Sequence, residues 1–314
     1  MVLKPQPGLV GWALALCLLA CVTTQAISGV QPAWRMATIV LLAVSHFTAN
    51  VTSGVLGRRI ALDHDRGTMM RLAWNLVTIG VLVNACRVVF ELAFQSTGRY
   101  DSATYPALGL RQILVASSFL ILTAALGAMW SAFTTLQLGI RLHAIDWTLI
   151  GCIVLLVPTV IWNRQTMGDS GSPWAVVRYL QISGPVLLAI PASMGIVLYR
   201  VSEEMGAGSM ALALKCLAGS LGLRLSALAA ASLLGPDGNA TGASAASLVP
   251  MVFYITAHWI FLLGLVHRWR LSHQTTDLIE RYESDQENQL TLLVQQTHNY
   301  GESLVSKLAN RAEG

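Results

Sequence analysis

Residues Ile113 to Leu136 read ILVASSFLILTAALGAMWSAFTTL, a run without one charged side chain. A hydrocarbon core about 30 Å thick asks for roughly 20 apolar residues per helical crossing, and this run meets that length. Apolar and polar residues do not alternate along it with a period of two, which argues against a barrel strand. Lipid offers the backbone no hydrogen-bond partner, so a run that enters it must be helical.

Runs of the same character occupy 9–28, 36–56, 72–94, 145–162, 175–199, 208–234 and 248–266. They predict an all-α fold, a polytopic transmembrane helical bundle of seven to eight spans with a short cytoplasmic C-terminal helix. Composition agrees: 54% of the chain is hydrophobic and 11% charged, where a soluble domain carries about 25% charged residues. The count of spans turns on residues 1–28. Lys4, the apolar stretch Leu9 to Val22 and the small residues near Thr24 and Ala26 fit either a first span or a signal peptide. The division is then 1–28, a bundle over 29–271 and a polar tail over 272–314.

Basic residues fix the expected orientation. Arg58, Arg59, Arg66 and Arg71 lie between the second and third runs, and Arg268 and Arg270 follow the last. Both places are cytoplasmic by the positive-inside rule, and the six crossings between them keep the two assignments consistent. The loops 98–110, 163–173 and 235–247 then face outward. Asn239-Ala240-Thr241 in the last of them is a glycosylation acceptor pattern. An integral multi-pass protein of the plasma membrane or an endomembrane is expected, with membrane lipid around it. The net charge of +4 is spread over short loops with no basic patch interleaved with aromatics, so no nucleic-acid partner is expected.

Ionisable residues inside the runs are the candidates for function, because each is costly in lipid. Arg224, in the middle of the seventh run, should face the bundle interior and find a partner or a ligand. Its neighbours Gly222 and Ser226 are expected to leave space around it, with Leu221, Leu225 and Leu228 turned to lipid or to other helices. Arg87 and Glu91 stand four apart on the third run and should pair on one helix face. His46 and His258 fall at similar depth on two runs and could ligate a haem iron or a metal if their helices are neighbours. Structural hydrogen bonding is the other use for such histidines, and no cofactor motif accompanies them. His64, His143, Asp146 and His267 gather near cytoplasmic span ends, where a zinc site could assemble, but their spacing is no ligand motif. Cys17, Cys21, Cys86, Cys152 and Cys216 form no CxxC pair and read as packing residues. Pro158, Pro185 and Pro191 are expected to kink their helices, and Gly184-Pro185 with Pro191 marks the sixth run as a candidate site-lining helix.

Arg87-Val88-Val89-Phe90-Glu91, with the polar loop 98–105 after it, resembles the fungal seven-span receptor-like and lipid-translocating exporter-like membrane proteins. Those families carry an Arg and a Glu on the third span. The spacing here is four where theirs is three, and the second run lacks their glutamate. The resemblance implies a receptor-like or lipid-handling protein, with Arg87 and Glu91 as the residues carried over.

No Walker loop, GxSxG elbow or HExxH is present, so an enzyme is not expected. Two functions remain in view. One is a seven-span receptor or sensor for a small molecule or lipid, signalling through its tail to a cytoplasmic protein. The other is a transporter or lipid exporter built around the intramembrane polar residues. In the tail, Leu271, Leu278, Asp285 and Leu292 fall seven apart, but the Asp interrupts a coiled-coil seam. A short helix is expected there instead.

Overall fold

The computed structural model describes residues 7–30, 35–96, 105–135, 142–166, 175–205, 209–233 and 248–272, and in the tail residues 286, 290–292 and 294–295. Side chains are described for the same residues except 28–30, 35, 94–96, 105–108, 160–166, 175–185, 209 and 231–233. Every long described segment is helical: α1 Pro7–Val30, α2 Arg35–Leu62, α3 Met69–Ser96, α4 Tyr105–Thr135, α5 Ala144–Thr166, α6 Ala175–Glu204, α7 Ser209–Leu233 and α8 Leu248–Ser272. No strand occurs among the described residues. Seven of these helices are long and apolar enough to cross a membrane, so the chain is an integral, multi-pass, all-α membrane protein. The remaining one is α5, whose described apolar part, Ala144–Thr159, is shorter than a full crossing.

Short-range chemistry sets several boundaries. The turn between α2 and α3 closes at Gly67, whose φ of 86° suits a residue without Cβ. Thr68 follows as N-cap, its Oγ1 accepting the Arg71 backbone N–H at 3.3 Å. At the start of α5 the Asp146 carboxylate accepts the His143 backbone N–H at 2.7 Å, satisfying a donor that the first turn leaves unpaired. α5 continues through Pro158, and α6 continues through Pro185 and Pro191.

Packing follows antiparallel hairpins. Between α2 and α3, Arg58 meets Asn75, Gly57 meets Thr78, Gly54 meets Leu82 and Asn50 meets Asn84. A Cβ at Gly57 would stand 2.9 Å from the Thr78 hydroxyl, so glycine lets these backbones approach. Gly195 of α6 faces Ala218 of α7, and Gly264 of α8 lies so near α7 that a Cβ there would stand 2.5 Å from the Cys216 Cβ. α4 packs on α3 and α6, and α5 on α6 and α7. α1 leans on α2 at the edge, burying Cys21 while leaving Leu9, Trp12, Leu16 and Leu19 exposed.

The chain divides into compact units Met1–Trp269 and Arg270–Gly314. Leu290 and Leu292 are helical and exposed, whereas Leu278 and Asp285 of the expected seven-residue pattern lie outside the described residues. Asn239 lies outside them as well.

Gly222 and Ser226 leave space on the outward side of α7, where both are exposed, while Leu221 and Leu225 are buried against neighbouring helices, one of the two placements expected for them. Gly219 is exposed too, and added Cβ atoms at Gly219 and Gly222 would meet nothing within 4 Å. The small residues of α7 form its outward stripe, and the leucines between them supply the interior contacts.

Candidate functional site

The polar side chains expected to stand alone inside the membrane meet in one network. α3 supplies its spine. Asn84, Arg87 and Glu91 are separated by three and then four residues, a spacing that puts them on one helix face. Arg87 spends all three of its nitrogens there. Nε donates to the Asn84 Oδ1 at 2.9 Å, Nη1 to the Glu91 Oε1 at 2.6 Å and Nη2 to the Tyr254 hydroxyl at 2.6 Å. Glu91 also receives the Arg111 Nε of α4 at 2.5 Å. The Arg87–Glu91 pair anticipated from sequence therefore forms, and two helices beyond α3 join it.

The Asn84 amide leads deeper. Its Nδ2 donates to the Asn50 Oδ1 of α2 at 3.1 Å and lies 3.1 Å from the His258 Nε2 of α8. The His258 Nδ1 stands 2.8 Å from the Tyr254 carbonyl oxygen. A carbonyl only accepts, so the hydrogen of a neutral His258 sits on Nδ1, and Nε2 accepts from Asn84. Asn50 Nδ2 donates back to the His46 carbonyl at 2.7 Å. The rings of His46, Tyr254 and His258 pack together, with centroids 4.6 to 4.8 Å apart.

Side-chain exposure falls along this column, from 34% at Arg111 to 19% at Glu91 and 7% at Arg87. Asn84, Asn50, His46 and His258 are buried. The column thus starts at the end of the bundle where α3 finishes and α4 begins, and it stops near the midpoints of α2 and α8. Beyond it, toward the Gly67 turn, the interior is filled by Trp74, Ile60, Leu126, Phe133, Leu214 and Leu265, all fully buried or nearly so.

Arg224 approaches the blind end from α7. It lies within electrostatic range of Tyr254, Arg87, His46 and His258. The partner expected for it is missing: its Nε is buried without a hydrogen bond, and none of the described ion pairs includes it. The His46 Nε2 is likewise buried without a hydrogen-bond partner.

His46 and His258 are neighbours, as a shared ligand would require, but they do not fit a haem. Two axial imidazoles must face each other across the iron with nitrogens about 2 Å from it, which separates the ring centroids by about 6 Å. These centroids are 4.8 Å apart, and both His258 nitrogens are engaged. Of the groups considered for zinc, His143 and Asp146 meet, with the imidazole Nδ1 3.6 Å from the carboxylate, but no third ligand joins them among the described residues. Asp146 is held by the Arg200 Nε at 2.8 Å and 3.0 Å, with Glu203 on the same guanidinium. Among the described residues no three His, Cys, Asp or Glu side chains form a metal-binding group.

Asn50, Asn84, Arg111 and Tyr254 were not singled out from sequence. A signal existed in the repeated spacing of three or four between polar residues inside apolar runs: His46 with Asn50, Asn84 with Arg87, Tyr254 with His258. Comparison of the chain with protein families, curated proteins and solved structures gave no match.

Proposed function

We propose that this chain is a receptor-like membrane protein that binds a small molecule or lipid at the blind end of the polar column and passes the change to its C-terminal tail. The observation that carries the reading is the column's ending. Polar contacts run inward from Arg111 to His46 and His258, and large apolar side chains close the remaining half. A polar column that reaches only one end of the bundle suits binding, whereas a transporter of alternating access exposes its site to each side in turn. The basic residues Arg58, Arg59, Arg66 and Arg71, with Arg268 and Arg270 after α8, favour placing the closed half and the tail in the cytoplasm. The mouth beside Arg111 then faces outward or into an organelle lumen, and the tail is free to meet a cytoplasmic protein. The resemblance of the Arg87 to Glu91 stretch to fungal receptor-like and exporter-like proteins accords with this assignment. Binding and conformational change are the chemistry proposed, without a reaction.

Cysteine accessibility tests the blind end. In a background with the five native cysteines replaced, Asn84→Cys should react with a small methanethiosulfonate applied from the Arg111 side, and Thr78→Cys should react from neither side. Reaction of both positions from both sides would favour an exporter. Failure of Asn84→Cys to react from the Arg111 side would overturn the reading.

A further inference from the structure

We infer that the blind end of the polar column is an anion site, in which the guanidinium of Arg224 and the Nε2 of His46 together take the carboxylate or phosphate group of the ligand. The inference deepens the binding-site reading above and rests on it.

Several buried side-chain nitrogens have no hydrogen-bond partner among the described residues, among them the His46 Nε2, His64 Nε2, Trp74 Nε1 and Arg224 Nε. Two of these, on His46 and Arg224, belong to residues within electrostatic range of each other at the end of the column. A buried polar nitrogen left unsatisfied costs about 1 to 3 kcal/mol, and more when charged, so the two mark a place where a partner is missing: an acceptor for Arg224, and for His46 in its Nε2–H tautomer as well. The contrast with Arg87 sharpens this. Arg87 has Asn84, Glu91 and Tyr254 on its three nitrogens, whereas Arg224 lies near the same Tyr254 with its Nε bare.

Charge points the same way. Glu91 is the carboxylate that the described network contains, and it already serves Arg87 and Arg111. Arg224 adds a positive charge within range of Arg87, and nothing described in the interior balances it. A low-dielectric interior makes such an excess costly and makes an incoming anion correspondingly favourable. The planar fork of a guanidinium suits a carboxylate or phosphate held by two parallel bonds. His46, with its hydrogen on Nε2, donates a third.

Two sources can supply this chemistry. A soluble anion would enter past Arg111. An anionic lipid would reach Arg224 from the side of α7, where that residue is itself only half-buried.

The full chain in phosphatidylcholine nanodiscs is the starting material, and its thermal unfolding midpoint is the readout. Three probes are compared: phosphatidic acid incorporated as a minor lipid, inorganic phosphate, and octanoate. At least one anion should raise the midpoint of the wild type, and diacylglycerol, which lacks the phosphate, should not. A rise with phosphatidic acid alone identifies a lipid headgroup, and a rise with phosphate or octanoate identifies a soluble anion. Either result supports the site, provided that Arg224→Leu abolishes the rise and Arg224→Lys weakens apparent binding roughly tenfold. If Arg224→Leu does not fold, Arg224→Lys decides alone. No rise with any anion, or the same rise in wild type and Arg224→Lys, overturns the anion assignment. Should that happen while Asn84→Cys still reacts only from the Arg111 side, the binding pocket stands and its ligand is uncharged. Loss of that reactivity instead removes the pocket itself.

Discussion

The two halves of the bundle interior are built on different forces. Toward the start of α4, helices are joined atom to atom, Arg111 to Glu91, Arg87 to Tyr254 and Asn84 to Asn50. Toward the Gly67 turn they are joined by volume, with Trp74, Phe133, Ile60 and Leu126 packed without exposure. In lipid the tails are as apolar as leucine, so burial alone gives little drive to associate, and close packing must supply it. Packing is tolerant of small rotations; a hydrogen bond between two amides is not. The polar half therefore fixes how the helices are rotated relative to one another, and the apolar half supplies contact area. On the proposed function, a ligand at the polar half would alter that rotation while the apolar half keeps the bundle assembled.

Substitutions in each half should separate these roles. The largest loss is expected from Glu91→Gln, which leaves Arg87 and Arg111 facing a neutral amide. Breaking a buried pair from one side costs about 3 to 5 kcal/mol. The double change Arg87→Leu with Glu91→Leu should cost less, because only the half-exposed Arg111 then needs water. Detergent melting curves of the three proteins would check the order, and a costlier double change would show that Arg87 is needed for its bonds to Asn84 and Tyr254. Trp74→Ala, in the apolar half, should cost about 3 to 5 kcal/mol for the cavity it leaves. It should leave the reactivity of Asn84→Cys unchanged, and altered reactivity would mean that the halves are not independent.

A smaller effect is expected from Gly264→Ala, where the new methyl would collide with Cys216; overpacking of this kind costs about 1 to 3 kcal/mol. The double change with Cys216→Ala should recover part of that loss in the same melting experiment. The smallest effect concerns His64, beside the Gly67 turn. Burial lowers its pKa from the ordinary 6.5, and Arg268 adds to the lowering against the opposing pull of Asp63 and Asp65. Above pH 6.5 the folded and unfolded chains both carry neutral His64. As the pH falls below that value the unfolded chain takes up the proton first, so stability declines toward the lower folded pKa. His64→Asn should flatten this part of the midpoint-against-pH curve, and an unchanged slope would remove His64 as its source.

The same division explains what could be read from the residues alone. Spans were legible because a hydrocarbon layer imposes length and apolarity on every crossing, and the 113–136 run shows both. Arg87 and Glu91 were legible because a spacing of four is a statement about one helix. The Asn84 contacts to Asn50 and His258 were not, since they depend on how three helices are rotated, which apolar runs leave open. Arg224 shows the limit most clearly. Its interior position could be argued from cost, but which of the two faces open to the leucines beside it they would take, lipid or neighbouring helices, could not. The reason is mutual: α7 meets α6 at Leu221 and α8 at Cys216 and Ala213, so those positions set its rotation and Gly222 falls on the side of the helix opposite Ala213.

The contact at Gly264 also has a mechanical meaning. Where α8 touches α7 closely enough that an added methyl cannot be placed, the two helices have no slack between them and must travel as a pair. Arg224 rides on one member of that pair, Tyr254 and His258 on the other. A ligand drawing Arg224 by a fraction of an ångström would carry α8 with it, past the Gly264 fulcrum to Trp269, which lies beneath the Arg59 guanidinium at 5.8 Å. Gly264 is then the hinge pin of a lever whose long arm ends in the polar column and whose short arm ends at Trp269 on the basic rim.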